Sequence, residues 1–207
     1  CDVTVQAEIE GMVNRTMEHY QRVDILFNNA GIGRLDWLER LDARDDIVNQ
    51  VAANLVGTIQ VTRVVIPHMV KRRSGHIINM SSIAGLVATP TYSVYAATKF
   101  GVRGFSDALR REVGIWNINV SAVFPGGVVT DFTDQARNVR KTSVTTPRFL
   151  QLTPEGVASS IFKLVRKPKR NLVIPRLMYP IIWLNAFAPG FVDWLIERQF
   201  TRPERGL

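Results

Sequence analysis

Asn79-Met-Ser-Ser-Ile-Ala-Gly-Leu-Val-Ala-Thr-Pro-Thr-Tyr-Ser-Val94 runs directly into Tyr95-Ala-Ala-Thr-Lys99. Tyr95 and Lys99 stand four apart in a segment that reads as helix, so a phenol and an ammonium project from one face about one turn apart. A cation there is expected to favour phenolate. The apolar run His76-Ile-Ile-Asn-Met80 ends in Ser81-Ser82, which offers a hydroxyl where strand gives way to loop. Tyrosine, lysine and serine together point to acid/base chemistry.

Outward from this stretch, short apolar runs alternate with amphipathic ones. Asp2-Val-Thr4 reads as a strand end running into a cap at Thr4, followed by a helix to about Arg22 with Ile9, Met12, Val13, Met17 and Tyr20 at helical spacing. Val23 to Phe27 reads as a strand buried on both faces. It ends in Asn28-Asn-Ala-Gly31, where glycine lets backbone approach a ligand and amides can hold neighbouring strands. Leu41 to Arg73 reads as a long, mostly helical segment, bent or ended locally by Pro67. A helix from about Ser93 to Gly114 follows, with Val102, Phe105, Leu109 and Val113 on one side. Asn117 to Phe124 alternates apolar and polar and meets Pro125-Gly126-Gly127. Thr130 to about Leu152 is polar and irregular, a candidate flap. Thr153-Pro154-Glu155 opens another helix, and Leu172 to Ile174 is a final short strand. Such alternation implies a layered α/β domain that binds ligands at strand C-termini.

The 207 residues, 46% of them apolar, suffice for one substantial core. The single cysteine, Cys1, excludes an intramolecular disulfide, and His19, His68 and His76 are too widely spaced for a Cys/His metal site. The residues open on no signal-peptide pattern, so we expect a reducing, cytoplasmic setting. The net charge of +8 is uneven: Arg137 to Arg176 holds ten Lys or Arg against one acid, Glu155. That block could attract anionic lipid, a phosphorylated cofactor or nucleic acid, or be a solvated face. Aromatics do not interleave with it, so nucleic acid is not expected.

Taken together, the residues resemble the short-chain dehydrogenases/reductases. The match rests on Asn28-Asn-Ala-Gly31 after a strand, Asn54 in Asn-Leu-Val-Gly57, Ser82 thirteen residues before Tyr95, the Tyr95-to-Lys99 segment, and Pro125-Gly-Gly-Val-Val-Thr130. These stand in the family's order and spacing. The resemblance implies a Rossmann-like, doubly wound parallel sheet over residues 1–175, and NADP or NAD as cofactor with NADP the first choice. It implies that Tyr95 exchanges the proton, Lys99 assists it and holds the nicotinamide ribose, Ser82 orients the substrate oxygen, and Asn54 holds a proton-relay water. An N-cap or helix-kink role for Asn54 stays open. The implied cofactor contacts are Asp2, Asn28, Ala30, Gly31, Tyr95, Lys99, Pro125, Gly126 and Thr130, although Asp2 and Thr130 could instead cap the segments that follow them. A homodimer or homotetramer is implied by resemblance only.

The departure is at the front. The family's TGxxxGxG loop, which presents backbone N–H groups to pyrophosphate, occurs nowhere in these residues, and we expect a sequence lacking about two βα units. The remaining segment, 176–207, carries one charge, Asp193, between Leu177 and Ile196. Pro180, Asn185 and Pro189-Gly190 divide it into two short helical pieces, too broken for a span. It reads either as an interfacial hairpin on a membrane or as a cover over the substrate pocket or between subunits. Both imply a hydrophobic small-molecule substrate, lipid- or steroid-like. A 3-oxoacyl thioester reductase is the alternative enzyme. A non-catalytic membrane scaffold on the same fold is the alternative of another class.

Overall fold

The computed structural model describes residues 1–129 and 150–206. Four parallel strands form its sheet: β1 (Ile25–Asn28), β2 (Gly75–Met80), β3 (Ile118–Pro125) and β4 (Asn171–Ile174), hydrogen-bonded in that spatial order. Each successive pair is joined through a helix, as parallel pairing requires. The helices that position the site are α1 (Gln6–Tyr20), α2 (Asn49–Val51), α3 (Thr58–Arg72), α4 (Ser93–Val113) and α5 (Pro154–Arg166). Wide π-type turns, Ala43–Val48 and Ala52–Gly57, flank α2.

Side-chain parity assigns the helices to the two faces of the sheet. Ile77 and Val120, paired in register, pack with Val13 of α1, Val65 and Met69 of α3, and Leu109 and Val113 of α4. Ile78 and Val123 have the opposite parity and pack with Leu164 of α5. The sheet is therefore doubly wound and Rossmann-like. The sequence reads β3 as alternating, but every position except Asn119 is buried, because helices cover both faces.

Three further expectations need correction. Asp2 to Thr4 is a turn, since no strand among the described residues lies beside it to pair with. Thr4 caps nothing: Val5 is the N-cap of α1, and Thr4 gives both its N–H and its hydroxyl to Asp2 Oδ1, each at 2.8 Å. Pro67 does not end its helix; α3 runs unbroken from Thr58 to Arg72, held down by buried Val61, Val65 and Met69. The cap on α5 is as read, with Thr153 Oγ1 accepting from the Gly156 N–H at 3.1 Å.

The tail forms α6 (Tyr179–Phe187), α7 (Pro189–Ile196) and α8 (Arg202–Arg205), with α6 and α7 the two short pieces expected. No helix among the described residues is long and apolar enough to cross a membrane. Met178, Tyr179 and Ile182 pack on Ala122, Phe124 and Val173, beside Ile83 and Leu86. At its far end Arg205 donates to Glu39 Oε1 at 2.6 Å and lies 3.8 Å over the Trp37 ring. The tail thus reaches from the end of β4 to the loop after β1, both at the C-terminal pole of the sheet. The expected flap lies outside the described residues except for its last three, of which Leu152 bridges to Val128.

Candidate active site

Strand β2 delivers the first component. Beyond Met80 the chain leaves the sheet at Ser81-Ser82, and Ser82 caps a short 3-10 turn, its Oγ accepting from the Ala84 N–H at 3.2 Å. Ser81 turns inward instead and donates to the Lys99 carbonyl at 2.9 Å. Gly85 completes this seat: a Cβ there would stand 2.7 Å from the Lys99 carbonyl oxygen, so only glycine lets the turn lie against α4.

Helix α4 presents Tyr95 and Lys99 to that turn, and the Ser82 hydroxyl is hydrogen-bonded to the Tyr95 phenol. Both side chains are buried, Tyr95 against Leu35, Ala84 and Ala96. The Lys99 ammonium sits 5.5 Å from the centre of the Tyr95 ring and donates to the Met80 carbonyl at 3.0 Å. Burial pushes the Tyr95 phenol up to about 12, with the Ser82 hydrogen bond pulling weakly the other way. Burial also brings Lys99 down to about 8. Nζ is directed to a backbone carbonyl at the strand end, and desolvation is the largest influence on the phenol.

Asn54 lies in the wide turn Ala52–Gly57 and is almost wholly buried. Its Oδ1 accepts from the Ile32 N–H at 2.7 Å, while Nδ2 donates to the Ile32 carbonyl at 2.9 Å and to Thr98 Oγ1 at 3.2 Å. Thr98 in turn donates to the Tyr95 carbonyl at 2.7 Å. Asn54 thus ties the loop after β1 to the helix bearing the phenol, and its own carbonyl accepts from Thr58 Oγ1 at 2.9 Å. Gly31 fits between: a Cβ there would stand 2.8 Å from Asn54 Oδ1 and 3.6 Å from Lys99 Nζ.

The other expected contacts are spread more widely. Asn28 is buried within the sheet, its amide donating to Asn79 Oδ1 at 2.8 Å and to Thr62 Oγ1 at 3.0 Å. Ala30 is exposed on the crevice side of β1. Pro125 and Gly126 close β3, with the Gly126 N–H donating to the Ile174 carbonyl at 2.7 Å. Asp2 is engaged by Thr4, whose two donors hold its carboxyl below the usual range. Its neighbour Val3 packs on Gly57, three residues past Asn54. Thr130 lies outside the described residues.

Sequence reasoning missed Thr98, Gln50 and the pair Asn79 and Ser106. Gln50 Oε1 accepts from the Arg34 N–H at 2.8 Å, and Asn79 Nδ2 donates to Ser106 Oγ at 2.9 Å. The signal for Gln50 was its place four residues before Asn54, one helical turn away on the same face.

With this geometry in hand, comparison with known proteins gives concordant matches. The family model described as short chain dehydrogenase matches residues 1–141. The 3-oxoacyl-[acyl-carrier-protein] reductase FabG of Thermotoga maritima is 38% identical over 165 residues, covering 77% of this chain and 65% of that protein. The 3-ketodihydrosphingosine reductase of Bacteroides thetaiotaomicron is 36% identical over 178 residues, covering 84% and 62%. A solved structure described as ElxO with NADP bound superposes with a TM-score of 0.74 at 28% identity, covering 84% of this chain and 74% of that one. The chain spans slightly less than two thirds of the length of the first curated relatives it matches, 65%, 63% and 62%.

Proposed function

The chain belongs to the short-chain dehydrogenase family, and on that premise we propose that it is an oxidoreductase of hydrophobic ketones or secondary alcohols, using NADP or NAD. The observation that carries this reading is the meeting of half-buried Ser82 with buried Tyr95 and Lys99 at the C-terminal pole of the sheet. We read residues 1–175 as the catalytic domain and 176–207 as an extension over its mouth.

The residues present fit the nicotinamide–ribose end of the cofactor. Gly31 leaves open a place beside Lys99 Nζ that a Cβ would fill, and Lys99 has N–H groups beyond the one given to Met80. Gly31, Lys99 and the Pro125-Gly126 turn would hold that end; Thr130 is a further candidate. When bound, the cofactor supplies or accepts the hydride. NADP leads because the related solved structures are described as bound to NADP and to NADPH.

The chain's own part is proton transfer and orientation. A phenol held at about 12 is protonated at neutral pH, so Tyr95 is poised to donate to a carbonyl oxygen, the reductive direction. Ser82 positions that oxygen by hydrogen bonding. Asn54 fixes the crevice wall through Ile32 and the helix through Thr98, consistent with a role in ordering a relay water.

Beyond Ser82, Ile83 and Leu86 pack on the same core residues as Met178, Tyr179 and Ile182 of the tail, apolar surroundings that support a lipid-like substrate and work at a lipid surface. A second reading, reduction of 3-oxoacyl thioesters, is favoured by the FabG relative. Tyr95→Phe in the protein, followed by cofactor absorbance, tests the assignment: turnover should fall by a factor of ~100 or more. Undiminished turnover of every accepted substrate would sink it. Turnover of acyl carrier thioesters but not free ketones would select the second reading.

A further inference from the structure

The helices α6 and α7 form a hairpin built inside out for a protein surface. Its inner side is anchored by Tyr179 and Ile182 on the core and by buried Val192. Its outer side presents Trp183, Phe187, Phe191 and Trp194, exposed by 61%, 87%, 52% and 50%. Phe191 and Trp194 stack with ring centres 5.8 Å apart, so the aromatics of α7 form one surface rather than scattered single residues. Arginines stand at both ends: Arg176 precedes the apolar stretch and Arg198 follows it, its guanidinium 5.6 Å from the Trp194 ring. Between them the only charges are Asp193 and Glu197, the latter paired with Arg202 at 2.8 Å.

The geometry points to docking of this hairpin on an anionic lipid surface, with Trp183, Phe187, Phe191 and Trp194 entering the headgroup and upper acyl region. Nine residues of α6 reach only about 14 Å, against roughly 30 Å of hydrocarbon, so the hairpin dips into one leaflet. Cations flanking an aromatic apolar patch complement anionic headgroups, with tryptophan at the interface. A second copy of the chain would match the aromatics, but with a net charge of +8 it would attract the flanking arginines less than an anionic lipid surface does. Tyr179 and Ile182 of the hairpin share one core cluster with Ile83 and Leu86, the residues that follow Ser82, so docking brings that side of the molecule to the lipid.

This deepens the lipid-surface part of the proposed function, and its test reads binding alone. The protein is floated with vesicles of phosphatidylcholine, and with vesicles of phosphatidylcholine and phosphatidylglycerol in comparable amounts. Binding should favour the anionic vesicles and blue-shift the tryptophan fluorescence. Phe187→Ser with Phe191→Ser should lower partitioning at least ~10-fold, and Arg198→Glu should reduce the preference for anionic lipid. Circular dichroism of each variant should match the parent, since these side chains are exposed. No binding to either vesicle, or binding unchanged in the double variant, overturns the proposal. So does sedimentation showing an oligomer that Phe187→Ser dissociates, because the hairpin then faces a second copy. Failure here leaves the Tyr95→Phe test untouched, and the reverse also holds.

Discussion

Asn54 holds both backbone hydrogen-bonding groups of Ile32, accepting from its N–H at 2.7 Å and donating to its carbonyl at 2.9 Å. A single amide therefore stands in for a strand partner, and it fixes a loop that would otherwise leave two polar groups unsatisfied. Asn54→Ala should cost ~2–4 kcal/mol in urea denaturation, the penalty for stranding both groups. It should also lower kcat more than it raises KM, because the crevice wall moves relative to Tyr95. Asn54→Asp keeps the acceptor and loses the donor, and should be intermediate or worse if the carboxylate stays charged.

Gly31→Ala tests the same contact from the loop side. The new Cβ would lie 2.8 Å from Asn54 Oδ1, an atom whose amide makes three hydrogen bonds and cannot easily yield. We expect a loss of ~1–3 kcal/mol by thermal unfolding and weaker cofactor binding by titration calorimetry.

Lys99 makes a pH prediction. Burial brings its folded-state value from 10.5 down to about 8, so between those values the unfolded chain binds more protons and stability rises with pH. Below about pH 8 both states are protonated and the full burial penalty applies. Lys99→Met should therefore be more stable than the parent at pH 7, by on the order of 3 kcal/mol, with the gap closing between pH 8 and 10.5. Activity should be lost. Chemical denaturation across that pH range, parent against variant, is the measurement.

Asn28 and Asn79, register partners on β1 and β2, are coupled by a hydrogen bond of 2.8 Å from the Asn28 amide to Asn79 Oδ1, and Asn79 in turn donates to Ser106. Asn28→Ala should cost ~1–3 kcal/mol, because it strands a carbonyl oxygen in the sheet interior. The pair Asn28→Ala and Asn79→Ala should be less damaging than the sum of the single changes, which a double-mutant cycle reads directly.

Much of the fold is legible in the residues because its signals are local. His76 to Met80 is an apolar run of strand length, and Thr153-Pro154-Glu155 is a helix start written in three residues; Val23 to Phe27 also holds a strand, but with Ile25 and Phe27 exposed rather than buried on both faces, because β1 is at the edge of the described sheet. Where the reading failed, the missing information was non-local. Asp2 to Thr4 needs a neighbouring strand to be a strand. Pro67 is tolerated because Val65 and Met69 are buried against partners far away in sequence. Asn119 alone looks outward in β3 because helices from four other segments cover the two faces of the sheet.

The sequence by itself determined that Tyr95 and Lys99 would share one helix face, since four residues make about one turn, whereas Ser82 was joined to them only by the resemblance. Only the tertiary structure decided their chemical state. Burial against Leu35 and Ala84 pushes the phenol up, and the Lys99 ammonium donates to the Met80 carbonyl. It also brought Asn54 to Ile32 and Arg205 to Trp37. Such contacts depend on which surfaces the packed sheet brings together and how much water it excludes, and neither is written in any short stretch of chain.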